Sequence, residues 1–508
     1  NEGIDFIKIP SPEFRNISLI NRSKQYSDCV MVSFGGGSED EIFDSIKKSN
    51  FRRSDVLLHC ISNYPTALGN QQLDFLARLK DVSKASVGYS SHDEEWEVNL
   101  LTIKYGIEFI EMHICESKSD IGLDITTSKT VDEFKKLIRI LNNYNNIISC
   151  DKRIPNQGEV LNVRNLGTSL YCNKNISAGN NLDISDFIEK SPRVGISKIE
   201  FINLKSKTLK KEIKLGDPLL AEHFNEKNLK LEKRFVDYLN RNKISIPVRL
   251  HDFKDFIKIF NSNYYELHLS YKEIYSLSKN GFSDLISIID KNYHISIHLP
   301  DYISKDELIN PFSNNKKIAD MSIDIINICS ELSDEIKIKT EKDCLILGSF
   351  SMNPFENKEI FYSTFKKFTE KYASRGTTII AQWLPKKAWY FGGTVLVDLF
   401  CSEDDIKYCL KNNIQICLDI AHLILSANYF EKNWKKWYDL LLPLCSHIHL
   451  SDAEGTDGEG VKFGSGDLNN IKEIISNKVI KVLEIWEGHH DSGNGFKDGI
   501  KFLEKVTL

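Results

Sequence analysis

The sequence predicts an α/β protein with two parallel-sheet regions separated by a small, mostly β module. Three observations carry this. From residue 1 to about 150, short apolar runs alternate with amphipathic helical stretches. Between 151 and 232 the alternation stops. From 233 to 508 it returns with eight strand candidates. Near-continuous apolar strands separated by helices mark parallel sheet covered on both faces.

In the first region the strand candidates are Phe6–Pro10, Val30–Gly35, Val56–Ser62, Ser86–Ser90 and Phe109–Ile114. Helical patterns such as EDEIFDSIKKS, NQQLDFLARLKDV and TVDEFKKLIRIL lie between or after them. Five β/α units are visible, whereas a closed barrel needs eight. Residues 1–150 are therefore expected to form a (β/α)8 barrel lacking its N-terminal part. Residue 1 is Asn, not Met, and the chain opens almost directly on a strand-like run. The missing units are expected upstream.

Residues 151–163 (DKRIPNQGEVLNV) lose periodicity and carry Pro, Gly and Asn, so they read as a linker. In 164–222 short runs (TSLYCNKNI, IEFINL, KTLKKEI) are divided by turn-rich SAGNN, PRVG and LGDP, which describes a small β-rich domain. Residues 223–232 read as a second, polar linker. In 233–508 the strand candidates are 246–251, 265–271, 294–300, 345–351, 378–385, 414–422, 446–453 and 479–488, a full set for a complete (β/α)8 barrel.

Composition narrows the function. With Lys+Arg 66 and Asp+Glu 71 the net charge is −5, which argues against a general nucleic-acid binder. No apolar run is long enough to span a bilayer and no signal peptide opens the chain. The 11 cysteines are scattered with no CxxC pair, so they read as reduced thiols of a cytoplasmic protein. GTDGEG, GSGD and Gly35–Gly37 lack a following Lys-Ser/Thr and are not phosphate loops.

In parallel barrels the chemistry sits at the C-terminal strand ends. In the first region those ends carry Lys8, Ser11 and Glu13 (KIPSPE), Ser33, Ser62 and Tyr64 (HCISNYPT), Ser90 and His92 (GYSSH), Glu111 and His113 (IEMH), then Asp124 and Ser128 (GLDITTS). A lysine among hydroxyls suits a phosphate or carboxylate. Two histidines on neighbouring strand ends can hold one divalent cation. Each residue also has a plain reading, as a turn-starting Ser or a hydrogen-bonded strand His.

The run KIPSPE, VSFGGGSEDEI, LLHCISNYPT, VGYSSH, FIEMH and GLDITTS, in that order, resembles the sialic acid synthase family, which includes legionaminate and pseudaminate synthases. The resemblance extends over TSLYCNKNISAGNNLDISDF, which is similar to that family's C-terminal antifreeze-like (SAF, β-clip) domain. It implies condensation of phosphoenolpyruvate with an N-acyl hexosamine such as N-acetylmannosamine, releasing phosphate. It implies that Lys8, Ser11, Ser33, Ser62, Tyr64 and Ser90 hold phosphoenolpyruvate, that Glu13 and Asp124 hold the sugar with Lys8 among the catalytic groups, and that His92 and His113 bind manganese or magnesium. No organic cofactor is implied. The resemblance also implies a domain-swapped homodimer with each SAF domain over the partner's barrel. There are departures: Ser191 stands where the family has a sugar-contacting Arg, with Arg193 two residues later, and Ser91 stands where it usually has Asp.

The second barrel has its own set: Asp419 and His422 in DIAH, His449 in HIHLSD and Glu484 in VLEIWEG. Such ligands suit manganese, zinc or magnesium. DIAH also reads as a helix N-cap, and HIH as strand alternation. This half resembles the xylose-isomerase-like barrel superfamily, which includes sugar phosphate isomerases/epimerases and endonuclease IV. Gln382 stands where that superfamily usually has Glu, and Glu459 follows strand seven where a His is common. The aromatic run 386–393 reads as a sugar-stacking loop or as core. The expectation is a nonulosonic acid synthase fused to an isomerase- or epimerase-like barrel. The alternatives are a carbohydrate-binding or regulatory fusion with one or both barrels inactive, or a sugar phosphate isomerase acting through the second barrel alone.

Overall fold

The computed structural model describes residues 4–148, 153, 155–224 and 230–507. The chain divides into two compact units, Asn1–Arg153 and Ile154–Leu508. Each is described by itself.

The first unit is a five-stranded parallel sheet in chain order: Ile7–Ile9, Val30–Phe34, Val56–His59, Ser86–Ser91 and Phe109–Met112. All five strands fall on the apolar runs expected. Helices cross back between them. Glu39–Ser49 shows why they form where they do. Ser38 and Glu41 make a reciprocal capping box, three acidic residues fill the first turn, and Lys47 and Lys48 close the last. Its buried face carries Ile42 and Ile46, against a core of Phe14, Val32, Phe34, Leu57, Leu76 and Val87. At the opposite end from the expected site, the buried Asp55 carboxylate accepts from the Val30 and Arg52 N–H groups and the Arg52 guanidinium.

The second unit opens with a surprise. Residues 157–163, expected in an aperiodic linker, and the first three residues assigned to the β-rich module form a helix, Gln157–Leu166, capped by an Asn156/Glu159 box. Gly158 and a weak apolar stripe hide it from periodicity, but the N-x-x-E signature is present in the sequence. A small β-rich module follows. Ser169–Cys172 pairs antiparallel with Phe187–Lys190, and isolated bridges such as Ile176 to Ile213 tie the remaining loops. Leu170, Phe187, Phe201, Leu209 and Leu219 form its core.

The rest is a closed eight-stranded parallel barrel: Ile244–Val248, Tyr264–His268, His294–His298, Ile346–Gly348, Ile379–Gln382, Ile416–Asp419, Cys445–Leu450 and Ile480–Leu483. Pairing of Ile244 with Lys481 joins strand one to strand eight. All eight overlap the expected runs: strands one, two and seven begin one or two residues earlier, and all eight end before their runs do. Two antiparallel hairpins sit in the loops, Lys387–Tyr390 with Gly393–Leu396 after strand five, and Asp452–Glu454 with Gly458–Val461 after strand seven. The ten described cysteines are all unpaired. Among the described residues no helix is long and apolar enough to cross a membrane.

Candidate functional site

In the first unit, strand register delivers most of the expected residues to one place. Ser90 pairs in register with Glu111 and donates to its carboxylate at 2.7 Å. Lys8 reaches the same carboxylate at 3.0 Å. Ser11 and Ser62 share a hydrogen bond of 2.7 Å. The Ser33 hydroxyl is buried with no protein partner, a polar group left for something the protein does not supply. Backbone packing is tight here: a Cβ on Gly35 would stand 2.4 Å from the Ser62 hydroxyl and 2.7 Å from the Cys60 sulfur.

The two histidines follow. His92 Nδ1 lies 2.7 Å from the Ile61 carbonyl, which fixes the ring. Burial lowers the His92 pKa, favouring the neutral, ligand-competent imidazole. Its ring centroid is 5.9 Å from that of His113 and 4.0 Å from that of Tyr64. His113 Nδ1 stands 3.9 Å from Asp124. Two imidazoles on adjacent strand ends with a carboxylate at hand fit a divalent cation. Glu13 stands apart from this group of side chains. It is exposed and accepts from Asn16, because the 3-10 turn Ser11–Glu13 directs it along the surface. Arg193, in the second unit, pairs with Glu200 at 2.9 Å. Glu111, noted in the sequence at a strand end but given no role, is the residue that holds Lys8 and Ser90 together.

The barrel of the second unit gathers a larger polar cluster. Glu266 is fully buried and grips three histidines and a serine. His447 Nε2 lies at 2.8 Å, His268 Nε2 at 3.0 Å, and Ser296 donates at 2.6 Å. His449 Nε2 is 2.9 Å away but off the line of a hydrogen bond. On its other edge, His449 Nδ1 is 2.6 Å from Glu484, 3.1 Å from Gln382 Nε2 and 3.7 Å from Asp419. Burial raises the Glu484 pKa, but the His449 charge outweighs it and holds the carboxyl well below its usual range. His449 is held well above its ordinary value, against burial, by Cys417, Glu484 and Glu266 around it.

Among the described residues, the sets able to hold a metal ion are Glu266, His447 and His449, and His298, His449 and Glu484. His449 and Glu484 fall within these sets. His422 lines the cavity beside them, with Nδ1 2.9 Å from the Trp383 carbonyl and Nε2 3.1 Å from Glu459. Asp419 caps the helix Ile420–Tyr429 by accepting the His422 N–H, and it also accepts from Gln382. Imidazole and carboxylate donors here fit a borderline or hard divalent ion. Glu266 supplies the outer carboxylate that orients such ligands.

Sequence reasoning missed Glu266, His268 and His298. The signal was present. YELH, HISIH and SHIH each place two polar residues at i and i+2, on one face of a strand.

A cavity of about 100 Å³ opens above this cluster, lined by His298, Asp301, Gln382, His422, Glu459 and Glu484 under Trp389 and Tyr390. Burial raises the Asp301 pKa. In the aromatic run 386–393, Ala388 and Tyr390 pack in a small core, and Ala388, Trp389 and Tyr390 line the cavity. The loop bearing Glu459 is organised by buried Asp452, whose carboxylate accepts the N–H groups of Ala453, Gly464, Gly466 and Leu468.

The chain thus joins a five-stranded parallel sheet, with polar residues at its strand ends, to a closed eight-stranded barrel with a polar mouth. Residues 1–152 match the NeuB family, and the first unit is a NeuB family domain. The chain is 26% identical over 224 residues to the N,N'-diacetyllegionaminic acid synthase of Campylobacter jejuni, covering 43% of this chain and 67% of that protein. It is similar to the solved N-acetylneuraminic acid synthetase of Leptospira borgpetersenii (29% identity, 31% of this chain, 56% of that one, TM-score 0.27). It is also similar to a sugar phosphate isomerase/epimerase of Parabacteroides distasonis (13% identity, 51% of this chain, 98% of that one, TM-score 0.35). The chain spans 58–67% of the length of the curated relatives it matches first.

Proposed function

We propose that this chain is the greater part of a nonulosonic acid synthase that condenses phosphoenolpyruvate with an N-acyl hexosamine, and that its barrel is a sugar isomerase or epimerase. The observation that carries the first half is the convergence of Lys8, Ser11, Ser33, Ser62, Ser90 and Glu111 within a NeuB family domain. Lys8 and the hydroxyls bind the phosphate and carboxylate of phosphoenolpyruvate. Glu111 keeps Lys8 pointed at them. Tyr64 covers the site, and Asp124 steadies His113 and the sugar. The methylene carbon of phosphoenolpyruvate adds to the sugar aldehyde carbon. Water then adds at C2, and phosphate leaves with the C2–O electrons as the keto group forms. A manganese or magnesium ion held by His92 and His113 would supply Lewis-acid polarisation of the aldehyde. The β-rich module is read as the SAF domain, Arg193 as its sugar contact, and a domain-swapped homodimer as the working form.

The barrel reading rests on a mouth that joins carboxylates, imidazoles and an aromatic wall. Such a site binds hydroxyls and moves a proton beside a carbonyl. Glu484 is the base or a metal ligand.

Phosphate release from phosphoenolpyruvate, scanned across N-acyl hexosamines with and without manganese, tests the synthase half. Sugar-dependent release that is lost in a His92→Ala, His113→Ala double variant supports it. Release without sugar, indifferent to that variant, sinks it. Solvent-deuterium uptake into a panel of ketoses and aldoses tests the barrel half. No uptake, and no bound metal, removes the isomerase reading.

A further inference from the structure

The barrel's mouth is closed by a segment that precedes it by some seventy residues. The helix Gln157–Leu166 lies on the loops above the cavity. Its first residue clamps the Glu459 peptide from both sides: the Glu459 N–H donates to Gln157 Oε1 at 2.5 Å, and Gln157 Nε2 donates to the Glu459 carbonyl. Its second residue, buried Gly158, packs flat on the Trp389 indole, where a Cβ would stand 2.3 Å from the ring. Two turns on, Arg164 pairs with Glu487 and lies 4.9 Å over the Trp486 ring, in the loop that follows Glu484. One helix therefore touches the loops after strands five, seven and eight. Glu459 and Trp389 both line the cavity, and Glu459 meets His422 there at 3.1 Å.

Glu459 sits in a two-strand hairpin whose ends are anchored by Asp452 and by the Trp486 N–H on the Gly460 carbonyl, and the clamp meets the Glu459 peptide itself. A side-chain amide that both donates to and accepts from one peptide unit mimics a strand partner, and it fixes the direction in which the next side chain points. A glycine at 158 lets the helix approach Trp389 more closely than any other residue permits. We propose that the helix Gln157–Leu166 is a fixed wall of the barrel's ligand site, with Gln157 the positioning residue for Glu459 and Gly158 the residue that sets the depth of Trp389. This rests on the reading of the barrel as a site for a small polyhydroxylated ligand. Without the helix the mouth opens to water, and polar contacts within it weaken.

The test uses the full chain and two independent readouts. The first is the labelling rate of His298, which lines the cavity, by diethylpyrocarbonate, read by peptide mass spectrometry. Gln157→Ala should raise it at least fivefold, with His447, deeper in the barrel, unchanged. Gln157→Met keeps the bulk but not the hydrogen bonds and should behave like Gln157→Ala. Gln157→Glu keeps the acceptor for the Glu459 N–H and should recover part of the protection. The second is hydrogen exchange of the 458–461 segment, which should quicken at least tenfold in Gln157→Ala while barrel-strand peptides stay as they were. Labelling and exchange within twofold of wild type in Gln157→Ala overturn the proposal. Should wild type turn over no sugar while these changes appear, the wall stands and the isomerase reading falls. Where turnover is found, Gln157→Ala should lower kcat about tenfold with less than a threefold change in KM, because Glu459 is misplaced and not removed.

Discussion

Lys8 and Glu111 form an ion pair of 3.0 Å although their strands are the two opposite edges of the five-stranded sheet. In a flat sheet four strand spacings would separate those strands by about 19 Å. The sheet is therefore curled like an arc of barrel wall, and the pair spans its inner side. Curvature, not sequence proximity, makes the anion site.

That relationship predicts a separation of function from stability. The pair is partly exposed, so its net worth to folding is about 0–1 kcal/mol. Lys8→Met should shift the thermal midpoint by no more than a few degrees. A charged hydrogen bond to an anionic substrate is worth about 1.5–3 kcal/mol, so kcat/KM for phosphoenolpyruvate should fall roughly ten- to hundredfold. Steady-state phosphate release beside calorimetry checks both.

Asp55 predicts the reverse. It is buried, it touches nothing in the site, and Arg52, two backbone N–H groups and Lys24 surround it. Burial raises its pKa, but these partners more than offset that and hold it below its ordinary value. The stability it contributes is complete above about pH 5. It drains as pH falls past the ordinary carboxylate value near 3.9 toward the lower folded value. Asp55→Ala strands Arg52 and should destabilise the first unit by about 3–5 kcal/mol. Urea unfolding at pH 7 and in steps below about pH 4 should show the full wild-type advantage at the first pH and a progressive loss as pH falls further.

Metal affinity of the barrel should separate ligands from their supports. Glu484→Gln removes a ligand of the His298, His449 and Glu484 set and should abolish manganese binding measured by titration calorimetry. Glu266→Gln leaves that set intact but loosens the rings beneath it, for a roughly 10–100-fold loss. Lys8→Met, in the other unit, should leave the barrel's binding enthalpy and affinity as they are.

His422 should remain protonated far into alkali. Burial lowers its pKa, but Asp419 at 3.3 Å and Glu459 at 3.1 Å raise it to about 10. Stabilisation by this imidazolium is full below about pH 6.5 and is lost as pH rises through about 10. In metal-free protein the His422 ring resonances should stay at their acid positions at pH 8.5. Glu459→Gln should bring the titration down by at least one pH unit.

Much of this was legible in the residues. The thirteen long parallel strands follow from runs such as VMVSF and IQICLD, whose continuous apolar character has one physical meaning, sheet buried on both faces. His449 and Glu484 were legible because they stand near the C-terminal ends of strands seven and eight. Glu266 lies inside its strand, where a polar residue reads as the solvent face, and His298, which closes its strand, sits in the alternating run HISIH and reads the same way. Only barrel closure turns that face inward. Glu13 lies on the exposed side of the 3-10 turn Ser11–Glu13, a turn its Pro-containing KIPSPE run favours. The helix Gln157–Leu166 was hidden because its stability comes from Trp389 and Glu459, hundreds of residues away, and not from its own periodicity.

That helix also carries a lesson for anyone dividing the chain. The last-turn carbonyl of Arg164 receives the Arg193 N–H from the β-rich module, while its first turn holds the barrel's hairpin. A cut at residue 233, where sequence patterning invites one, would yield a barrel with an unroofed mouth and a β module with a loose loop. The two modules share a beam. A fragment meant to keep the barrel's chemistry has to start ahead of Asn156.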